Sequence, residues 1–334
     1  MIFNDLSKKE RLELYQQAHD TLGLSKIIIE KDWWVTAVLR ALFSLPYAEN
    51  LSFKGGTSLS KCYNLIERFS EDVDIAIKRE YLGFVGTLSK TQISDRLRRA
   101  ACSFVREKLQ FDLAKQLENN GLNPNDFTVK VNITPISTTD PEIIEVEYDS
   151  LFAEENYIKR KVIIEVSGRS MREPLQSVTL QSMIDEEFPS EEFTEKPFEV
   201  QAVVPQRTFI EKICLLHEEF AKPQDLMRTE RMSRHLYDLV QIMDTPVAEK
   251  ALENKDLYNS VMEHRRVFVG LKDFDYSTLA PKTINIVPPD NIIDLWKVDY
   301  ETMQRTMIYG NSLSFNKLID KIKQLNEKIN NIDW

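Results

Sequence analysis

The sequence predicts an α+β protein, in which a mixed β-sheet with flanking helices precedes a C-terminal helical domain. Three observations lead to this fold class. Strand-like alternation is concentrated in the first 205 residues, helical apolar spacing dominates from Arg207 onward, and a strand, a glycine turn, a helix and a second strand follow one another between Leu51 and Ile77. We therefore expect two domains, over residues 1–205 and 206–334, with the helical domain completing an active-site cleft.

Composition is that of an ordinary soluble globular protein, with 42% hydrophobic and 29% charged residues. No apolar run approaches the roughly 20 residues of a membrane span, and the N-terminus lacks a basic segment followed by an apolar core. The three cysteines are few, odd in number and far apart, which favours reduced thiols over a disulfide framework or a zinc site. We expect a cytoplasmic protein without a membrane partner.

The N-terminal region reads as two helices. Apolar residues recur at helical spacing from Asp5 to Leu22 and from Lys26 to Phe43, and Pro46 ends the region. A short strand, Leu51 to Phe53, then runs into the Gly55-Gly56 pair. From Thr57 the apolar spacing predicts a helix that continues to Ile66.

This glycine turn is a candidate phosphate site. Glycine lets a ligand approach the main chain, and the free N–H groups at a helix start favour an anion. The hydroxyls of Thr57 and Ser58 can cap the helix or donate to phosphate. Lys61 lies four residues after Thr57 on the same helix face, within reach of a phosphate. We therefore predict that Gly55, Gly56, Thr57, Ser58 and Lys61 bind the nucleotide.

A candidate metal strand follows. Val73, Ile75 and Ile77 alternate with Asp72 and Asp74, so that both carboxylates project from one face of a strand. Their mutual repulsion calls for a compensating cation, and Mg²⁺ commonly combines one or two carboxylates with substrate phosphates. Alone, a glycine pair is most often a plain turn and an Asp-x-Asp strand a solvated edge. Their conjunction is far more specific to nucleotide chemistry.

The middle of the chain supplies the rest of the sheet. A long amphipathic helix is predicted from Thr91 to Asn119 and is broken at 121–124. Strands are then predicted at Phe127–Ile133, Ile143–Tyr148, Lys161–Val166 and Phe198–Val204, and an acidic surface loop at 185–195. Glu165 is an acid inside an apolar strand, and a buried carboxylate needs a partner. We predict it as a third metal ligand, with a salt bridge as the alternative.

Helical spacing fills the last third of the chain. Helices are predicted at Phe209–Phe220, Met232–Met243, Lys255–Phe268, Asn291–Met307 and Leu313–Ile332. The last carries an apolar stripe that fits packing on the body or, alternatively, an oligomer seam. Lys212, near one helix start, is placed to bind a triphosphate. Asp238 in the next helix is predicted either to orient that lysine or to accept a proton.

A family resemblance covers roughly residues 28 to 245. The residues that carry it are Glu30-Lys31-Asp32-Trp33-Trp34-Val35, Lys54-Gly55-Gly56-Thr57-Ser58-Leu59-Ser60-Lys61, Arg68-Phe69-Ser70-Glu71-Asp72-Val73-Asp74, Glu211-Lys212 and Arg234-His235-Leu236-Tyr237-Asp238-Leu239. Together they resemble the AbiEii/AbiGii-type nucleotidyltransferase toxins of the DNA polymerase β-like superfamily.

The resemblance implies a nucleotidyltransferase-type fold, Mg²⁺, and a nucleoside triphosphate as substrate. It implies that Gly56, Thr57 and Ser58 hold the triphosphate, that Asp72 and Asp74 bind metal, and that Lys212 and Asp238 are essential. It also implies a toxin of a type IV toxin–antitoxin or phage-defence abortive-infection system. Its acceptor would be the 3′ end of tRNA, and its partner an antitoxin, often a transcriptional regulator.

Two alternatives stay open at the level of sequence. One is a non-catalytic nucleotide-binding or partner-binding protein, and the other is a nucleotidyltransferase acting on a protein or small molecule. The net charge of −10 argues against coating nucleic acid but allows a local basic groove. The candidate groove residues are Arg96, Arg98, Arg99, Arg106, Lys108, Lys159, Arg160, Lys161, Arg228, Arg231 and Arg234.

Overall fold

The chain forms two compact units in a computed structural model that describes residues 1–70, 72–132, 142–153 and 159–334. The sheet unit comprises Met1–Cys62 and Ser70–Val203, and the helical unit comprises Tyr63–Phe69 and Val204–Trp334. The segment Tyr63–Phe69 therefore lies in the helical unit, although residues of the sheet unit flank it in sequence. No pattern in the sequence predicted that this segment belongs to the helical unit.

Six helices flank the sheet in the described part of the sheet unit. They are α1 (Lys8–Leu22), α2 (Lys26–Phe43), α3 (Gly55–Lys61), α4 (Arg98–Phe104), α5 (Gln110–Asn119) and α6 (Met183–Glu187). Wider π-type turns at 92–97 and 105–109 join α4 and α5 into one helical run, as the spacing from Thr91 to Asn119 predicted. The helix after the glycine turn ends at Lys61, so the predicted extension to Ile66 is wrong.

Local capping chemistry explains where the first two helices begin and end. Ser7 and Glu10 form a reciprocal capping box at the start of α1, and Gly23 ends it in the left-handed conformation. The Ser25 side chain caps α2 by accepting from the Ile28 N–H. Residues 28–39 of α2 are buried without interruption, so this helix is a core element rather than a surface one.

A seven-stranded mixed sheet forms the centre of the sheet unit, which confirms the predicted α+β class. Its strands are β1 (Leu51–Lys54), β2 (Asp72–Ile77), β3 (Phe127–Asn132), β4 (Glu142–Tyr148), β5 (Lys161–Ser167), β6 (Leu175–Leu180) and β7 (Phe198–Val203). Their order is β3-β4-β5-β2-β1-β7-β6, with β2 parallel to β5 and β1 parallel to β7. The predicted end of β3 at Ile133 lies outside the described residues.

Two short elements differ from the sequence-based expectation. Strand β6 is absent from the prediction, because its side chains show no clear alternation and half of them are exposed. The acidic stretch at 185–195 was expected to be a surface loop, but its start belongs to α6. There Asp185 is 1% exposed and accepts hydrogen bonds from the Ser182 hydroxyl and the Glu195 N–H. The buried acid is therefore satisfied locally.

Six helices make up most of the described helical unit. They are α7 (Pro205–Phe220), α8 (Ser233–Ile242), α9 (Pro246–Glu253), α10 (Lys255–His264), α11 (Ile293–Thr306) and α12 (Phe315–Asn330). Five of them were predicted, and α9 was not. The apolar stripe of α12 is buried within the chain, where α12 packs against α8. Among the described helices, none combines the length and apolarity needed to cross a bilayer.

Truncating the α12 stripe tests whether it packs within the monomer. Leu325 is 0% exposed, so Leu325→Ala is expected to lower the free energy of unfolding by about 2–5 kcal/mol. Urea denaturation measures this change, with the exposed neighbour Gln324→Ala as the matched control. A change of oligomeric state in light scattering, with little loss of stability, would instead support the seam.

Candidate active site

The glycine turn and the aspartate strand meet at one close contact. Gly55 has a φ of +78°, a region that side chains disfavour. A Cβ atom added at Gly55 would lie 1.8 Å from Oδ2 of Asp74. The absence of a side chain therefore lets the Asp74 carboxylate sit directly against the turn. The two halves of the sequence motif form a single structural feature.

Thr57 and Ser58 use their hydroxyls to hold the turn together. The Thr57 hydroxyl donates to the main-chain carbonyls of Asp72 and Ser70, and the Ser58 hydroxyl donates to the Gly55 carbonyl at 2.9 Å. Both side chains are almost completely buried. Phosphate binding at this turn would then depend on the main-chain N–H groups at the start of α3, where Lys54 provides no side-chain cap.

Lys61 points away from the turn. Its ammonium group contacts Oδ1 of Asp32 on α2, and the two side chains are 11% and 5% exposed. The second Asp32 oxygen accepts from the Met183 N–H at 2.8 Å, at the start of α6. The predicted nucleotide ligand is thus engaged in an ion pair at the opposite end of α3 from the turn.

Three carboxylates share one face of the central sheet. Asp72 and Asp74 alternate with the buried residues Val73 and Ile75 of β2. Strand β5 runs parallel to β2 and places Glu165 directly opposite Asp74 in the register. Register partners in a sheet project to the same side. The predicted third acid is therefore on the same face as the pair and next to it.

These donors fit a metal that arrives with phosphates better than a complete protein cage. Within the described residues, no group of three His, Cys, Asp or Glu side chains is positioned to hold a metal ion. Mg²⁺ does not require such a group, because it keeps several waters and combines one or two carboxylates with substrate phosphates. Asp74 against the glycine turn supplies a carboxylate where phosphates would bind.

The helical unit contains a buried cluster of charges around Asp238. Arg68 grips this carboxylate with two parallel hydrogen bonds, of 2.6 Å from Nε and 2.7 Å from Nη2. Lys212 on α7 reaches Oδ2 of the same residue at 2.9 Å. Asp238 is 0% exposed, and burying it without these cations would cost several kcal/mol. Two cations thus share one buried carboxylate.

His235 completes the cluster as a neutral neighbour. Its Nδ1 lies 3.4 Å from the Lys212 ammonium. Burial, together with the charges of Lys212 and Arg234, lowers the pKa of His235 well below its ordinary value. Burial likewise lowers the pKa of Lys212, against the opposing pull of Asp238.

Asp238 contacts the Lys212 ammonium through Oδ2, a geometry suited to orienting that lysine. Burial raises the pKa of Asp238, but Arg68 and Lys212 together bring it below the ordinary value. An acid that so strongly prefers its charged form is a poor general base. The prediction left both roles open, and the geometry favours orientation. The sequence-based prediction assigned no role to Arg68. The requirement of a buried aspartate for a cationic partner is the signal that could have indicated one.

Most of the candidate RNA-binding residues have carboxylate partners. Arg98 and Arg99 pair with Asp95, Arg106 with Glu142, Lys108 with Asp112, Lys161 with Glu145, and Arg228 with Glu219. Pairing reduces the net charge that these side chains offer to a phosphate backbone. An RNA acceptor therefore remains a prediction.

Known proteins resemble this chain in sequence pattern or in fold. Residues 37–322 match the family model described as nucleotidyl transferase AbiEii toxin, type IV toxin–antitoxin system. The fold resembles MenT4, a nucleotidyltransferase toxin from Mycobacterium tuberculosis H37Rv, with a TM-score of 0.54, 14% identity, and coverage of 97% of this chain and 90% of that one. JHP933 from Helicobacter pylori matches with a TM-score of 0.43, 13% identity, and coverage of 92% and 93%. No curated protein matches the chain.

Adding a methyl group at Gly55 tests the contact with Asp74. Gly23→Ala is the matched control, because Gly23 has a similar φ of +70° but open space around the added Cβ. The control is expected to lose about 1–2 kcal/mol of unfolding free energy from backbone strain alone. Gly55→Ala should lose more and should also bind Mg²⁺–nucleotide at least about tenfold more weakly, because Asp74 must move. Urea unfolding and calorimetric titration measure both; identical behaviour of the two variants would contradict the contact.

The pH dependence of stability tests the neutral state of His235. Below about pH 6.5, His235 is protonated in the unfolded chain but stays neutral in the folded chain, because folding lowers its pKa. The free energy of unfolding therefore falls as the pH decreases towards 5. His235→Asn keeps a side-chain acceptor for Lys212 and removes the titration. We expect it to reduce the slope by up to about 1.4 kcal/mol per pH unit.

Urea unfolding at several pH values between 5 and 7 measures this slope. Part of the slope should persist in the variant, because burial also lowers the pKa of His217. Parallel curves for wild type and His235→Asn would show that folding does not lower the pKa of His235 and would contradict the prediction.

Proposed function

Because the chain belongs to the AbiEii family of nucleotidyltransferase toxins from type IV toxin–antitoxin systems, we propose that it transfers a nucleoside monophosphate to the 3′ end of tRNA in a Mg²⁺-dependent reaction. Membership of the family shows that the chain is a nucleotidyltransferase, and it implies a nucleoside triphosphate as substrate and an antitoxin as partner. The acceptor, the metal, a cytoplasmic site of action, a role in phage defence and an antitoxin that is a transcriptional regulator belong to the proposal.

One observation carries the catalytic part of the proposal: the Asp74 carboxylate packs against the Gly55 turn. A carboxylate next to main-chain phosphate donors is the arrangement in which a Mg²⁺-bound triphosphate is held from both sides. Glu165, opposite Asp74 in the register, adds a third oxygen donor on the same face. A turn or a solvated strand edge alone would not require this contact.

In the proposed reaction, a hydroxyl of the acceptor attacks the α-phosphorus, a new phosphorus–oxygen bond forms, the bond to pyrophosphate breaks, and the hydroxyl proton passes to solvent water. Asp72 and Asp74 would hold Mg²⁺ together with the substrate phosphates, with Glu165 beside Asp74 as the predicted further ligand. When bound, the ion neutralises phosphate charge and polarises the reacting phosphoryl group. Main-chain N–H groups of Gly56, Thr57 and Ser58 orient the triphosphate. Catalysis then depends on positioning and electrostatics rather than on a covalent intermediate.

Lys212 is proposed to stabilise negative charge on the phosphates during the transfer. Its bond to Asp238 fixes the direction of the ammonium group, and the bidentate Arg68 contact fixes Asp238 in turn. Preorganised charge of this kind costs no rearrangement when the transition state forms. Asp238 therefore acts through Lys212.

Two alternatives are distinguished by the acceptor that becomes labelled. A nucleotide-binding protein without turnover would label none, and an enzyme that modifies a protein or a small molecule would label that acceptor instead. One observation favours the second alternative, an enzyme that modifies a protein or a small molecule. Many of the basic side chains are paired with carboxylates, which reduces the positive charge that they offer to RNA.

The decisive experiment incubates the protein with each α-labelled nucleoside triphosphate, Mg²⁺ and total tRNA. Wild type is expected to label tRNA, whereas Asp74→Asn should reduce the rate by at least about 10³-fold, because a metal ligand is lost. Glu147→Gln is the matched control: it removes a strand carboxylate of the same sheet that pairs with the exposed Lys130. It should retain full activity.

Gel electrophoresis and scintillation counting of the separated RNA, protein and small-molecule fractions measure the label. Label confined to protein or small molecules would reject the tRNA acceptor and select the second alternative. No label in any fraction, with nucleotide binding intact, would reject transfer altogether.

A further inference from the structure

Three consecutive charged residues are buried on α2, an unusual arrangement for a helix. Glu30, Lys31 and Asp32 are 2%, 0% and 5% exposed. Neighbouring residues on a helix point about 100° apart, so each must find its partner on a different element. Glu30 accepts from the Leu151 N–H, Lys31 donates to the Lys159 carbonyl, and Asp32 faces Lys61.

The Asp32–Lys61 pair holds the far end of the helix that carries the phosphate turn. Helix α3 has only seven residues, with Gly55 at its start and Lys61 at its end. At about 1.5 Å per residue it is roughly 10 Å long, so a displacement at one end is transmitted to the other. Its first turn is fixed to β2 by the Thr57 hydroxyl, and its last residue is fixed to α2 by Lys61.

Asp32 is itself held firmly, which makes it suited to this role. One carboxylate oxygen contacts the Lys61 ammonium, while the other accepts from the Met183 N–H at 2.8 Å. A buried carboxylate with both oxygens engaged has little freedom to move. The first residue of α6 and the last residue of α3 therefore both contact Asp32 on α2.

We propose that Asp32 and Lys61 are positioning residues, which together set the place of the Gly55–Ser58 turn for the triphosphate. Lys61 then acts on the nucleotide through α3 and does not touch the phosphates. This inference rests on the proposed function, since it assumes that the turn binds a nucleotide. It replaces the prediction that Lys61 is a direct nucleotide ligand, which its position on α3 had suggested.

The two roles of Lys61 make opposite predictions for Asp32→Asn. If Lys61 positions the turn, losing its anchor misplaces the turn and weakens nucleotide binding. If Lys61 is a phosphate ligand, losing the carboxylate releases the ammonium group and leaves binding unchanged or tighter. Asparagine keeps an oxygen for the Met183 N–H, so the substitution removes mainly the charge that faces Lys61.

The test is a double-mutant cycle on the dissociation constant for α,β-methylene nucleoside triphosphates with Mg²⁺, measured by calorimetry on the full chain. Asp32→Asn and Lys61→Met are each expected to raise this constant about tenfold, and the double variant no further, because both break the same pair. Glu30→Gln is the matched control, since it alters an equally buried acid of α2 that contacts Leu151 instead of α3. It should leave the constant unchanged even if the protein is less stable.

Three results would overturn the proposal: unchanged binding in Asp32→Asn with weakened binding in Lys61→Met, additive effects in the double variant, or equal weakening in Glu30→Gln. These outcomes are separable from a failure of the proposed function. A wild type that binds nucleotide but labels no acceptor refutes the transfer reaction, while the cycle still decides the role of Asp32. A wild type that binds no triphosphate refutes both.

Discussion

The approach of the Asp74 carboxylate to Gly55 is the contact on which the rest of the candidate site depends. Any side chain at position 55 would overlap that carboxylate, so only glycine lets the turn lie against strand β2 in this way. The Thr57 hydroxyl, bonded to the Asp72 carbonyl, ties the same two elements from the other side. Once β2 is placed, the parallel register of β5 carries Glu165 to its position opposite Asp74.

Charge burial is the second constraint, and the protein meets it in each unit with ion pairs. In the helical unit, Asp238 is compensated by Arg68 and Lys212, and in the sheet unit Asp32 is compensated by Lys61. Such pairs add little net stability, because desolvation offsets their attraction, but breaking one is expensive. Their value here is geometric: they fix the directions of charged groups that would otherwise be mobile.

Much of the fold was predictable, because the signals are local. The strands β2, β4 and β5 and the long helices follow from alternation and helical spacing in the sequence. The missed elements are short or weakly patterned: β6 exposes half of its side chains, and α6 spans only five residues. The helix after the glycine turn was predicted too long, because the apolar residues beyond Lys61 continue the helical spacing. The helix itself ends at Lys61.

The sequence by itself determined the glycine turn, the shared face of Asp72 and Asp74, and the order of elements between them, since these depend on backbone geometry over a few residues. Only the tertiary structure decided which partner each charged side chain takes. Lys61 meets Asp32 across 29 residues, and Arg68 meets Asp238 across 170. No local pattern encodes such distances, because the partner of a buried charge is chosen by the packing of whole helices and strands.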